Sequence, residues 1–182
     1  MIHLRHSQTV DAPLAQMWAA TGDLHRIGDC FPGAAVTLVD GTCYEGTLSV
    51  AVGPLTLTYL GHGRVTERDE GAHTAVLVSG GHEKHGMGGA DMTMRISVGA
   101  VDDPARSRVD IDTRIDVRGL PTPIGSGLAQ AISDPLIEAF LRCLADPSCP
   151  GTAGADGADR LDALHTILPG MKSYAGRLLR RG

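Results

Sequence analysis

The sequence predicts an α+β protein in which a curved antiparallel sheet of about seven strands wraps around one long C-terminal helix. Three observations lead there. Several segments alternate apolar and polar residues at period two, so each is apolar on one face and wet on the other, as in an antiparallel sheet covered on one side only. A single long apolar stripe at helical spacing follows them and is suited to cover that face. Two short helical segments, closed by Pro32-Gly33, separate the first strand from the rest.

Taken in order, His3 to Val10 alternates loosely and reads as a first strand. Asp11 is placed to cap a short helix with Pro13 in its first turn, and Leu14, Met17 and Trp18 share one helical face. A second short helix over about Leu24 to Phe31 ends at Pro32-Gly33, because Pro cannot continue a helix and Gly tolerates the positive φ of a helix end. Val36 to Val39 and Thr42 to Val52 read as a hairpin turning at Asp40-Gly41. In the second of these strands Tyr44, Leu48, Val50 and Val52 share a face opposite Glu45, Thr47 and Ser49. Leu55, Leu57, Tyr59 and Val65 alternate with Thr56, Thr58, His62 and Arg64. Met92, Met94, Ile96 and Val98 alternate with Thr93, Arg95 and Ser97, and Val109, Ile111, Ile115 and Val117 with Asp110, Asp112, Arg114 and Asp116. The aspartates on this last strand read as a solvated face rather than as an acid/base couple.

The cover runs from Ile124 to Leu144, where Leu128, Ile132, Leu136, Phe140 and Leu144 recur every four residues and Ile137 and Leu141 widen the stripe. Pro135 within it predicts either a kink or a helix start at Asp134-Pro135. Aromatic residues make up only 3 % of the chain, six in all, so the interior is filled by aliphatics, Ala and Met. Gly61, Gly63 and Gly80 are expected to face inward and to leave space between sheet and helix.

The chain carries a net charge of −5. Residues 161 to 182 hold Lys172, Arg177, Arg180 and Arg181 against Asp162, leaving an acidic body that argues against nucleic acid as a partner. No stretch has the roughly 18 apolar residues of a membrane span, and no secretory h-region opens the chain, so a cytoplasmic location is expected. The four cysteines form no CxxC pair, and plain thiols with no metal are expected at Cys30, Cys43, Cys143 and Cys149. His82-Glu83-Lys84-His85 lies in a Gly-rich run between strands, not on a helix where i and i+4 share a face; it reads as a hairpin loop, not a metal site. No nucleophile elbow, phosphate loop or dinucleotide fingerprint is present.

Residues 147 to 160 are rich in Gly, Pro and Ala and are read as a flexible linker after a domain spanning 1 to 146. In the tail, 161 to 182, Leu164, Leu168, Met171, Tyr174 and Leu178 recur at helical spacing, with Lys172, Arg177, Arg180 and Arg181 alongside and a break at Pro169-Gly170. Such a basic amphipathic element suits a membrane surface, with docking onto a partner protein or back onto its own domain as alternatives.

The run Cys30-Phe-Pro-Gly-Ala34, followed by Tyr44-Glu-Gly-Thr-Leu-Ser-Val-Ala-Val-Gly-Pro54, resembles the carbon monoxide dehydrogenase CoxG family of the START-like helix-grip superfamily. The resemblance covers roughly residues 2 to 146. It implies one kinked C-terminal helix, an apolar cavity between helix and sheet, no catalytic residues and no covalent cofactor. It further implies an accessory role in an aerobic molybdenum-containing carbon monoxide dehydrogenase system, bringing enzyme and respiratory membrane together. An apolar cavity and a membrane-touching tail suggest an isoprenoid quinone, menaquinone or ubiquinone, as the ligand. The partners expected are therefore the quinone, the inner face of the cytoplasmic membrane, and a carbon monoxide dehydrogenase or related molybdenum hydroxylase. Candidate cavity walls are Phe31, Leu57, Tyr59, Met92, Met94, Leu128, Ile132 and Leu136; flexible thioethers suit such a lining. The superfamily also contains polyketide aromatase/cyclases, so an enzyme of that kind, or a carrier of another hydrophobic small molecule, is the alternative. The absence of an inward acid or base favours the carrier.

Overall fold

The computed structural model describes residues 1–52, 55–119 and 126–149. Its elements are β1 (Ile2–Val10), α1 (Leu14–Ala20), α2 (Leu24–Cys30), β2 (Ala34–Asp40), β3 (Cys43–Val52), β4 (Leu55–Asp69), β5 (Thr74–Glu83), β6 (Gly89–Ala100), β7 (Ser107–Arg118) and α3 (Ser126–Ala145). The seven strands form one sheet in the order β1-β7-β6-β5-β4-β3-β2, antiparallel throughout. Every link from β2 to β7 is a neighbour-to-neighbour hairpin, and β1 closes the far edge against β7.

Register fixes which side chains share a face. Val98 lies opposite Val109, Ile96 opposite Ile111 and Ala75 opposite Ile96, so one face is apolar along β5, β6 and β7. On it, Val10, Met17, Trp18, Val98, Val109, Ile111, Ile137, Phe140, Leu141 and Leu144 form a sealed core between the sheet, α1 and the C-terminal half of α3. The opposite face carries the charges: Asp112 takes hydrogen bonds from His3 and Arg5, and Asp110 from Arg108.

Three local expectations change. The β2–β3 hairpin turns on Gly41-Thr42, since Asp40 already pairs with Cys43; Gly41 adopts φ 58°. Asp11 does not cap α1. Pro13 occupies that position without a side-chain bond, and Asp11 instead accepts from Arg106 at 2.9 Å. Asp23 is the functioning cap, accepting from the Arg26 N–H at the start of α2. Gly80 faces outward, opposite His62 and Asp91, whereas Gly61 and Gly63 face inward as expected. Gly33 holds φ 82° after α2, and a Cβ there would lie 2.3 Å from the Ser49 carbonyl oxygen, which is why the chain needs glycine at this turn.

The expectation of four plain thiols is overturned. Cys30 at the end of α2 and Cys143 near the end of α3 form a disulfide, with Cα atoms 5.4 Å apart across a sequence separation of 113. No local spacing signals such a pairing; it exists because α2 packs against α3. Pro135 sits inside a continuous α3, which places it in one helix rather than at a helix start. Residues 147–149, expected to begin a free linker, are tied back: Arg26 donates to the carbonyl oxygens of Cys143 and Cys149, each at 2.8 Å, and also to that of Asp146. Residues 150–182, with every tail position named above, lie outside the described residues, as does Ile124.

Candidate ligand site between the sheet and α3

Burial along the inward face is graded. Around the C-terminal half of α3 the side chains are sealed, but several inward positions elsewhere on the sheet are not. Tyr59 on β4, Leu77 on β5, Met92 and Met94 on β6, and Ile115 on β7 all face inward by register yet are only half-buried. On the helix, Ile132 and Leu136 are likewise half-buried and Leu128 is 40 % exposed. An apolar wall therefore continues past the point where the core seals it.

The proposed wall residues distribute along this gradient. Phe31 and Met94 pack against the edge of the sealed core, and the Phe31 ring lies tilted on that of Phe140 with centroids 5.4 Å apart. Met92 stands two residues further out along β6, opposite Ile115. Leu57 is inward but fully sealed, at 3 % exposure, so its side chain offers no open surface. Gly63 makes room for the Tyr44 ring, whose Cζ and Oη would come within 2.4 Å of a Cβ at that position. Tyr44 thus lies across the inner face and exchanges a hydrogen bond with Ser79.

Two inward polar groups escaped the pattern of the sequence. Glu83 ends β5 on the inward face opposite Tyr59 and is 1 % exposed. Its Oε2 accepts from the backbone N–H groups of His85 at 2.6 Å and Met87 at 3.3 Å, and its Oε1 pairs with the His85 ring at 3.1 Å. Burial opposes the charge, but these hydrogen bonds outweigh it and hold the carboxyl below the usual carboxylate range. The adjacent Tyr59 phenol is pushed up, chiefly by burial and also by the Glu83 charge. The expected loop is thus a turn organised around a buried carboxylate. His82 lies on the opposite strand face from Glu83, which separates it from the Glu83–His85 pair.

The second group is His6 on β1. Its side chain is 7 % exposed, and its Nε2 lies 3.0 Å from Ser133 Oγ and 3.3 Å from Asp134 on α3. The Ser133 hydroxyl donates to the Gln130 carbonyl at 3.0 Å, which leaves its oxygen to accept from the His6 Nε2–H. Nδ1 is buried without a partner.

A concavity of about 1130 Å³ lies on the outer face of the sheet, where Arg64, Arg95, Arg114 and Asp112 line it together with Leu38, Val76 and Val78. Among the described residues, no helix is long and apolar enough to cross a membrane.

A seven-stranded antiparallel sheet gripping a C-terminal helix over a partly open apolar interior defines the helix-grip class of the START-like proteins. Solved structures with this fold include a conserved protein from Geobacillus kaustophilus, at TM-score 0.66 and 17 % identity over 78 % of this chain and 91 % of that one. The ZhuI aromatase/cyclase from Streptomyces sp. R1128 matches at TM-score 0.54 and 16 % identity, covering 79 % and 90 %. The protein TTHA0849 from Thermus thermophilus matches at 0.52 and 13 %, covering 88 % and 98 %. At such identities these likenesses establish the fold alone. A search of the curated proteins found no match. The family model for CoxG, the G subunit of carbon monoxide dehydrogenase, matches residues 7–148, and the chain belongs to that family.

Proposed function

We propose that this protein is a non-enzymatic carrier that takes an isoprenoid quinone, menaquinone or ubiquinone, from the membrane and presents it to a carbon monoxide dehydrogenase or related molybdenum hydroxylase. The observation that carries the proposal is the half-covered apolar wall of Tyr59, Met92 and Met94 on the inner face of the sheet. A soluble domain gains by sealing such a wall, and leaving it open favours an apolar ligand as the missing cover. An isoprenoid chain needs that cover, since each CH₂ exposed to water costs about 0.8 kcal/mol. The family supplies the dehydrogenase as partner.

The aromatase/cyclase alternative requires an inward acid or base free to meet a substrate. Glu83 is inward, but both its oxygens are already engaged by His85 and Met87, and the side chain is sealed. Its chemistry is spent on holding the turn.

The basic tail extends the proposal. Lys172, Arg177, Arg180 and Arg181 would each contribute about 1 kcal/mol at an anionic leaflet, while Leu164, Leu168, Met171, Tyr174 and Leu178 supply a narrow apolar stripe. The attachment is reversible and peripheral, on the inner face of the cell membrane.

The test narrows the space from both sides. Met94→Trp and Ile132→Trp should each abolish quinone binding, measured by fluorescence quenching or co-elution, while the fold is retained. Overpacking can itself destabilise by about 1–3 kcal/mol, so melting temperatures are read alongside. Two folded variants that bind quinone like the parent would remove the site from this position.

A further inference from the structure

The Cys30–Cys143 bridge does not stand alone. The thiol of Cys149 lies 3.0 Å from Cys143 Sγ, inside ordinary sulfur–sulfur contact. This approach is built by neighbouring groups. Arg26, on the same short helix as Cys30, donates to the carbonyl oxygens of Cys143 and Cys149, each at 2.8 Å, and to that of Asp146. The Cys149 N–H bonds the Asp146 carbonyl at 3.1 Å, and the Asp146 side chain accepts from both the N–H and the hydroxyl of Ser148. The turn after α3 is thereby folded back so that its one thiol meets the bridge. The accessibilities are also ordered: Cys30 is sealed at 1 % exposure, whereas Cys143 and Cys149 are half-buried.

We propose that Cys30, Cys143 and Cys149 form an intramolecular thiol–disulfide relay that couples and uncouples α2 from α3. The Cys149 thiolate attacks Cys143 Sγ, a new bond forms between those two sulfurs, and the bond to Cys30 breaks. Cys30 departs as a thiolate and takes up the proton that Cys149 gave away. One disulfide and one thiol stand on each side of the step, so no outside oxidant or reductant is needed. A link spanning 113 residues between two helices becomes a link over six residues between the end of α3 and the turn that follows it. α2 is then held to α3 without a covalent link, by packing that includes Phe31, the neighbour of Cys30, on Phe140 and by the Arg26 hydrogen bonds to the end of α3. Any effect on ligand access rests on the carrier reading, but the relay itself does not.

The test uses the full chain with Cys43→Ser, which removes the exposed thiol outside the cluster. Oxidised protein is held at about pH 8, near the thiol range, then acid-quenched, alkylated, digested and mapped by mass spectrometry. The relay predicts both the Cys30–Cys143 and the Cys143–Cys149 pair in this parent. Adding Cys149→Ser should leave only the first pair, and adding Cys30→Ser only the second. Cys149→Ser should also slow reduction by dithiothreitol roughly tenfold, because the more accessible isomer is lost. Finding Cys143–Cys149 in neither the parent nor the Cys30→Ser variant, with a reduction rate unchanged by Cys149→Ser, would overturn the relay. No quinone enters this experiment, so its failure and that of the carrier reading are separable.

Discussion

Glu83 is a carboxylate that folding brings inside and then surrounds with donors. Because its hydrogen bonds outweigh burial and hold the folded carboxyl below its ordinary value, the unfolded chain binds the proton more tightly. Its stabilising contribution is therefore fully present above the ordinary carboxylate range and is lost as pH falls through the folded value. Glu83→Gln should lower the melting temperature at pH 7 by a few degrees, and the gap from the parent should shrink on acidification. Thermal scans of both proteins from pH 7 to pH 3 check this; a constant gap would remove the charge from the explanation. The residue was hidden in the sequence for a physical reason. Val76 and Val78 face outward on β5, so apolar residues occur on both faces and blur the alternation that would have carried the phase through Gly80-Gly81 to Glu83. Strands with clean alternation, such as β6 and β7, were legible to the residue: Met92, Met94, Ile115 and Val117 all fall on the expected face.

At the scale of elements, the contact that decides the site is α3 against β1. Gln130 clasps the backbone of Arg5 from both sides, accepting from its N–H and donating to its carbonyl, and His6 donates to Ser133. Burial holds the His6 imidazole below its ordinary value of 6.5, with Asp134 partly opposing. The sign follows: the unfolded chain takes up the proton first, so this contact stabilises the fold above about pH 6.5 and weakens as pH falls from there through the folded value. A proton on Nδ1 would also be buried without an acceptor. His6→Gln should therefore flatten the fall in melting temperature between pH 7 and pH 5. An unchanged slope would assign that fall to other groups. In β1 the inward positions include His6 and Gln8, which is why its alternation looked loose. The apolar stripe of α3 was readable from spacing alone. The disulfide was not, because Cys30 and Cys143 meet only once α2 and α3 have packed.

For the whole molecule, the order of elements, the sheet-and-helix architecture and the family all followed from sequence pattern, because strands such as β6 and β7 repeat the same one-sided chemistry. Which part of the inner face is sealed did not follow. That depends on how the elements pack in three dimensions, which the apolar stripe of the helix, with Leu128 and Ile132 at one end and Leu141 and Leu144 at the other, does not encode. The carrier proposal joins this open wall to the basic tail. With the acidic body repelled by an anionic surface, attachment depends on the tail, and salt near 1 M, where the Debye length is about 3 Å, should release the protein from anionic vesicles. Sedimentation with vesicles at low and high salt checks this; equal pelleting in both would exclude an electrostatic attachment.

The most direct measurement of the central claim is quinone extraction by the full chain. Protein is incubated with vesicles containing menaquinone or ubiquinone, the vesicles are floated away, and quinone in the protein fraction is quantified by absorbance after solvent extraction. The account predicts quinone rising with protein to a one-to-one limit, and loss of that quinone with Ile132→Trp. Quinone that stays with the vesicles at every protein concentration, while the protein remains folded, would contradict it.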